Sequence, residues 1–314
     1  MRILMMGTGP FAVPTFHVLC ESEHEVLALV TRPERRGRGG RKPPPNPMQQ
    51  AAEQRGLAVL TPESINTEAA RAELAALRPD LLVVCDYGQI LKAETLSIAP
   101  QGGVNLHGSL LPKYRGAAPI QWAIYHGEQE TGASVIRMTP GLDAGPIVGQ
   151  VRTQIGEEET AGELEPRLAA LGAPLVLQVV EQIAADTVEA LPQDAALATK
   201  APRLKKEDGQ IDWSRSAAQI SNQIRAFEPW PRSYTDWRRG DREPLRLIVA
   251  RAAVVESPSL DAAPGTVVAT AARLLVATGD GVLEIEEVQP SGKRVLSAAE
   301  FLHGYRLESG VVLQ

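Results

Sequence analysis

"RILMMGTGPFA" occupies residues 2–12. Apolar side chains run from Ile3 to Met6 without alternation, as expected of a strand buried on both faces. Gly7, Gly9 and Pro10 end the run, and a helix is expected from Phe11 to Glu21. Strand, glycine turn and helix in this order open a βαβ unit. The same rhythm continues in "EVLALVT", "PMQQAAEQRG", "LAVLT", "INTEAARAELAALRP", "DLLVVCDYG" and "GVNLHG". Together they predict an α/β domain: a doubly wound, Rossmann-like parallel sheet. Asn66 or Thr67 is the expected cap of the third helix.

Further along, a helix is expected over 118–127, and strands in "ASVIRMT" and "IVGQVRTQI". Thr160 and Glu163 form a capping-box signature before a long helix reaching about Asp186. "LPQDAALATKAPRLKKEDG" then mixes proline, polar and charged residues and reads as a linker. A short helix, "SAAQISNQIRAF", and four short strands follow, separated by turn residues. That spacing suggests a small β-barrel. The expected organisation is a first domain at 1–189, a linker at 190–208 and a second domain at 209–314.

The 314 residues carry 32 Lys and Arg against 38 Asp and Glu, a net charge of −6. This balance argues against bulk affinity for nucleic acid. The average conceals a local excess. Residues 31–48, "TRPERRGRGGRKPPPNPM", hold five Arg and one Lys against Glu34, a local net of +5. A concentrated positive segment on an acidic body suggests a contact with a partner. From Ala201 onward 15 basic side chains balance 15 acidic ones, so charge alone does not mark that half. Cys20 and Cys85 sit in apolar runs and read as reduced, buried thiols. No signal peptide and no run of about 18 apolar residues is evident, which predicts a cytoplasmic protein without membrane contact.

"GTGPFA" fits the weak dinucleotide fingerprint G-x-G-x-x-A. Pro10 suits the first turn of a helix but removes an N–H that a pyrophosphate could use. A tight strand-to-helix turn explains the glycines equally well. "NLHG" is more telling. Asn105 and His107 lie two apart on a strand and face the same side. Asn can donate to a developing oxyanion, and His can move a proton near neutral pH. Ligands of open α/β sheets bind at the carboxyl ends of such strands. Asp143, within "TPGLDAGPI", is either a turn residue or a carboxylate brought beside His107. Ser109 lacks a nucleophile elbow, and no spacing suggests a metal site. The set suits acyl-type transfer through a tetrahedral intermediate. Tyr114 and Trp230 are expected to be packing residues.

"NLHGSLLPKYRGAAPIQWAI" followed by "TGASVIRMTPGLDAGPI" resembles the folate-dependent formyltransferase family. "GTGPFAVP" and "VVCDYGQIL" match its first turn and a second strand end, and the resemblance extends over essentially the whole chain. It implies a catalytic domain followed by an OB-like barrel that contacts tRNA. The implied reaction moves the formyl group of 10-formyltetrahydrofolate to the α-amino group of methionyl initiator tRNA, with no metal.

Residue by residue, the resemblance implies that Asn105, His107 and Asp143 are catalytic. Ser109, Leu110, Leu111 and Pro112, with Val84, Asp86, Tyr87 and Gly88, fall on the folate pocket. The family often has a small or apolar residue where this chain has Cys85 and Asp86. The basic insert matches a loop that enters the tRNA acceptor arm, which gives Arg35, Arg36, Arg38, Arg41 and Lys42 as tRNA contacts. Lys205 and Lys206 join them from a one-sided patch that would include Arg238, Arg239, Lys293 and Arg294. A monomer is expected. The alternatives are a formyltransferase of a small amine, which shares the catalytic core, a hydrolase releasing formate from the same folate, and a non-catalytic tRNA-binding module.

Overall fold

A computed structural model describes residues 1–34, 46–240, 242–255, 262–270 and 273–314. The chain divides into two compact units. The first comprises Met1–Pro119, Glu130–Gln154 and Leu164–Pro202. The second comprises Ile120–Gln129, Ile155–Glu163 and Arg203–Gln314.

The first unit is built on β1 (Arg2–Gly7), β2 (Glu25–Val30), β3 (Val59–Leu60), β4 (Leu81–Cys85) and β5 (Gly103–His107). Helices α1 (Val13–Glu21), α2 (Pro47–Gln54), α3 (Glu68–Ala76) and the short α4 (Ala93–Leu96) connect them. These five strands pair in parallel. Every residue of β4 is buried, which explains its unbroken apolar sequence. Thr67 caps α3 by accepting from the Ala70 N–H. Asn66 is used elsewhere: its Oδ1 accepts from the Lys92 N–H and the Thr95 hydroxyl.

The sheet order is β3-β2-β1-β4-β5, extended by β7 (Glu130–Arg137) and β8 (Ile147–Gln154). Successive strands build outward from β1 on one side and from β4 on the other. The crevice beyond the carboxyl ends of β1 and β4 is therefore the topological switch point. The expected parallel arrangement holds for the first five strands only. β7 runs antiparallel to both β5 and β8. The loop 138–146 is too short for a crossover, so β7 and β8 must form a hairpin. β6 (Arg115–Gly116) pairs in parallel with β9 (Lys200–Ala201). Residues 190–202 thus pack within the first unit.

Helix α6 (Ala161–Ala184) is long and apolar enough to cross a membrane by length and composition. Its apolar side is instead used against the sheet. The space beside Gly172 is filled by Leu106 of β5, and that beside Gly149 of β8 by Leu175 and Val179. The Thr160–Glu163 capping box is present, with reciprocal bonds of 3.3 and 2.9 Å.

In the second unit, α5 (Pro119–Tyr125) and α7 (Ala217–Ala226) accompany an antiparallel sheet ordered β10-β11-β14-β13-β12. The strands are β10 (Ser233–Arg239), β11 (Arg242–Val255), β12 (Val267–Ala269), β13 (Leu274–Ala277) and β14 (Val282–Pro290). β15 (Leu296–Ser297) pairs with β14 and leads into α8 (Ala298–Tyr305). Register shifts near Arg251 bend the long β11, and the sheet curls into a half-barrel around Phe301, Ile285, Leu274 and Trp213. This matches the OB-like expectation in its curvature. Sequence reading missed β10, because Pro231 and five polar or charged residues mask the buried Tyr234 and Trp237. Tyr125 stacks on Phe227 at 5.4 Å, and Arg215 lies 4.6 Å from the Tyr125 ring centre.

Phe301 is wholly buried at the centre of the half-barrel. Phe301→Ala is expected to lower the unfolding free energy of this unit by about 3–5 kcal/mol, measured by denaturant titration.

Candidate active site

Asn105 and His107 project from the same side of β5, while Val104 and Leu106 are buried on the other. His107 is only 5% exposed. Its Nε2 lies 2.9 Å from the carbonyl oxygen of Tyr114. A carbonyl only accepts, so Nε2 carries the proton. Nδ1 faces Asp143, with Oδ2 at 3.7 Å. That separation exceeds a hydrogen bond but suits an ion pair once Nδ1 is protonated. Nδ1 is thus the nitrogen free to gain and lose a proton.

Asp143 is held from several directions. Its Oδ2 accepts from the Gly116 N–H at 2.9 Å. Its carbonyl, with that of Gly145, accepts from the Gln193 side-chain amide at 2.8 and 2.7 Å. Arg115 in turn donates to Gln193 Oε1 through Nε and a terminal nitrogen. Tyr114 and Asp143 both take left-handed backbone, at φ 62° and 46°. Gly116 lies so close to β9 that a Cβ would stand 2.3 Å from the Ala201 carbonyl oxygen. Sequence reading missed Gln193, which sits in the stretch expected to be a linker. Its only signal was a polar residue beside the apolar Leu191.

Asn105 is half-buried, and its amide makes no hydrogen bond to another described residue. It is therefore available to a ligand. The Ser109 hydroxyl donates to the Lys113 carbonyl at 2.8 Å and closes the turn. The Ser134 hydroxyl donates to the Ser109 carbonyl and accepts from the Leu111 N–H. Gln150 donates to the Leu111 carbonyl. These bonds give Ser109–Pro112 a fixed shape; Leu111 is buried, while Leu110 and Pro112 are half-buried.

Val84 of β4 lies in register with Asn105. Beyond it, Asp86 and Gly88 take φ values of 44° and 78°. Tyr87 is buried and its hydroxyl has no hydrogen-bond partner among the described residues; burial pushes its pKa up to about 12. The Asp86 carbonyl accepts from the N–H groups of Thr8 and Gly9. Its carboxylate lies over Gly9, where a Cβ would stand 1.6 Å from Oδ2. Asp86 is exposed, yet desolvation by the surrounding chain raises its pKa to about 6. Glu165 adds to this rise, and Arg32 opposes it. Two apolar side chains missed in the sequence, Ile90 and Leu142, stand 70% and 61% exposed just beyond Gly88 and just before Asp143.

Arg35, Arg36, Arg38, Arg41 and Lys42 lie outside the described residues. Lys205 and Lys206 are exposed, as are Arg238 and Lys293. Arg294 is committed to Glu300 at 2.8 Å, and Arg239 lies over the Trp237 ring. Tyr114 is buried, as expected of a packing residue. Trp230 is not: it is 53% exposed, because Pro229 and Pro231 on either side turn the chain at the surface. Among the described residues no group of three or more His, Cys, Asp or Glu could hold a metal ion.

Residues 1–180 match the model of the formyl transferase family, and residues 203–306 match that of the formyl transferase C-terminal domain. The chain belongs to the formyl transferase family. It is a transferase of a family that moves formyl groups from formyl-tetrahydrofolate. It is 43% identical over 324 residues to the methionyl-tRNA formyltransferase of Rhodopirellula baltica, covering 99% of this chain and 96% of that protein. The methionyl-tRNA formyltransferase of Moorella thermoacetica is 43% identical over 315 residues, covering 100% and 99%. Among solved structures, an N-formyltransferase from Helicobacter canadensis, in complex with folinic acid and dTDP-3-aminofucose, superposes with a TM-score of 0.68. It shares 18% identity over 92% of this chain and 99% of that one. Glycinamide ribonucleotide transformylase 1 from Symbiobacterium toebii gives 0.52 at 22% identity, covering 61% and 94%. At these identities the two structures establish the fold.

Gly116→Ala forces β6 away from Ala201 and withdraws an N–H from Asp143. It is expected to cut formyl transfer at least tenfold while costing more than about 1 kcal/mol of stability. Turnover and thermal unfolding of the same sample check both.

Proposed function

We propose that this formyltransferase moves the formyl group of 10-formyltetrahydrofolate to the α-amino group of methionyl initiator tRNA, in the service of translation initiation. The observation that carries the chemistry is the convergence of His107 and Asp143 beside an Asn105 amide that has no partner among the described residues. The full-length likeness to methionyl-tRNA formyltransferases supports this acceptor over smaller amines.

In the proposed reaction the neutral amine attacks the formyl carbon. A free α-amine has a pKa of roughly 7.7–8, so it needs little activation. The carbonyl electron pair moves onto oxygen, where the Asn105 amide donates to it. His107 takes the proton leaving nitrogen on Nδ1, and Asp143 stabilises the imidazolium. Collapse returns the electron pair and releases the folate nitrogen, which accepts a proton from His107. No metal is required. Ser109–Pro112, Val84, Tyr87, Gly88 and the main chain of Asp86 are assigned to the folate, with Ile90 and Leu142 as apolar flanks. The buried Tyr87 hydroxyl, without a partner among the described residues, fits a group that a bound ligand would satisfy.

Residues 1–189 form the catalytic domain on this reading, 190–208 the connection, and 209–314 the OB-like tRNA-binding domain. The basic insert, through Arg35, Arg36, Arg38, Arg41 and Lys42, contacts the acceptor arm, and Lys205 and Lys206 add to the tRNA surface. The enzyme acts in the cytoplasm as a monomer without membrane contact.

Purified protein is expected to formylate charged initiator methionyl-tRNA well above elongator methionyl-tRNA, and to ignore small amino sugars. Activity on a sugar amine alone would overturn the assignment. His107→Ala and Asp143→Asn should each lower turnover by about 10²–10³-fold; unchanged turnover would remove them from the mechanism. Combined Arg→Ala changes at Arg36, Arg38 and Arg41 should weaken tRNA binding and flatten its salt dependence, leaving folate affinity intact. Equal loss of folate affinity would contradict the role given to the insert.

A further inference from the structure

The loop between β7 and β8 carries Asp143 but has few holds of its own. At its base the Arg137 N–H donates to the Pro146 carbonyl. Thr139, Pro140, Gly141, Leu142 and Ala144 are exposed and make no hydrogen bond to another described residue. From Thr139 to Gly145, the main chain takes its hydrogen bonds from other described residues at one point only. The Gln193 side-chain amide donates to the Asp143 carbonyl at 2.8 Å and to the Gly145 carbonyl at 2.7 Å. One amide group therefore sets where the Asp143 backbone stands.

Gln193 is itself well placed to do so. It is half-buried in a stretch that is mostly exposed. Two residues earlier, Leu191 exchanges both main-chain bonds with Ile147 at 2.8 Å. One residue later, the Asp194 carboxylate accepts from the Ala196 N–H at 2.8 Å and fixes the following turn. Gln193 Oε1 accepts from Arg115 Nε at 3.0 Å and from a terminal Arg115 nitrogen at 2.7 Å. A guanidinium only donates and a carbonyl only accepts, so the amide has a single orientation. Thr199 completes the arrangement. Its hydroxyl accepts from the Tyr114 N–H at 2.8 Å, and its carbonyl from the Arg115 N–H at 2.9 Å. The stretch 191–201 thus holds both sides of the catalytic pair. Through Thr199 it fixes the residue whose carbonyl binds His107, and through Gln193 it fixes the loop that bears Asp143.

We propose that Gln193, oriented by Arg115, is a positioning residue for formyl transfer that sets the Asp143 carboxylate against His107. This role rests on the acid–base reading of His107 and Asp143 given above. It draws residues 191–201, assigned above to the connection between domains, into the catalytic unit. Asp143 Oδ2 stands 3.7 Å from His107 Nδ1. A misplacement of about 1 Å at a reacting group can cost on the order of a hundredfold in rate. Freeing the loop should therefore slow turnover while leaving the binding of either substrate nearly intact.

The test is steady-state formyl transfer to methionyl initiator tRNA, with thermal unfolding of the same samples. Gln193→Ala should lower kcat about tenfold to a hundredfold and change KM for either substrate by less than about threefold. Gln193→Glu keeps the shape and the Arg115 contact but turns an oxygen toward the two carbonyls, and it should lose as much. Arg115→Lys keeps the charge and removes the fork that orients the amide, so it should reproduce most of the loss. These two variants carry the test should the alanine variant fold poorly. Added to Asp143→Asn, Gln193→Ala should cost nothing more, because a residue that acts through a carboxylate has no effect once that carboxylate is gone. Losses that multiply in the double variant, an unchanged kcat, or a rise in KM in place of the fall in kcat would overturn the proposal. If Asp143→Asn lowers turnover and Gln193→Ala does not, only the role of Gln193 falls. If Asp143→Asn leaves turnover unchanged, the acid–base reading falls with it.

Discussion

The meeting of His107 and Asp143 depends on the short segment Tyr114–Gly116. Its first carbonyl holds one nitrogen of His107, and its last N–H holds the carboxylate of Asp143. Between those bonds lies Arg115, which reaches Gln193 and so reaches the loop carrying Asp143 a second time. The segment is itself fixed by pairing with β9 and by the Tyr114 N–H donating to Thr199. Residues far apart in sequence thus meet because one stretch of backbone addresses both. Local sequence places His107 on its strand; the β6–β9 pairing and Gln193 place Asp143 beside it.

This geometry also decides the histidine's chemistry. With Nε2 tied to a carbonyl, a neutral ring must leave Nδ1 without a proton. Nδ1 then faces the Asp143 carboxylate, with Oδ2 at 3.7 Å. Asp143 keeps its own orientation through the Gly116 N–H, so the carboxylate does not depend on the histidine for its position.

The sheet was legible in the sequence because parallel, doubly covered strands are uniform apolar runs. "LLVVC" and "RILMM" admit few other readings. The Asn-x-His pair was legible for a related reason: alternation along a strand fixes which side chains share a face. What escaped was held by tertiary contacts between irregular segments. Gln193 acts through a side-chain amide on two carbonyls, and nothing in "LPQDAA" signals that. The antiparallel turn of β7 and β8 depends on a loop length that apolar patterning does not report. Ser109 shows the reverse case. Its sequence context already argued against a nucleophile, and its hydroxyl donates to the Lys113 carbonyl. Trp230 was misjudged because its flanking prolines fix a surface turn that an aromatic alone does not announce.

Backbone conformation links these observations. Among the described residues, Asp86, Tyr114 and Asp143 are three of seven non-glycine residues with positive φ. Left-handed backbone is disfavoured for side chains with a Cβ, least for Asp and more for Tyr. Such conformations persist where the surroundings over-determine them. Here the surroundings are specific: β9 holds Tyr114, Gln193 holds Asp143, and the Thr8 and Gly9 N–H groups hold Asp86. Each left-handed turn redirects a carbonyl or a carboxylate that a regular strand end would point elsewhere. These three turns direct the Tyr114 carbonyl to His107, the Asp143 carboxylate to Gly116 and the Asp86 carbonyl to Thr8 and Gly9. Unfavourable backbone of this kind is expected of a site shaped by what it must bind, since stability alone would have placed glycine there.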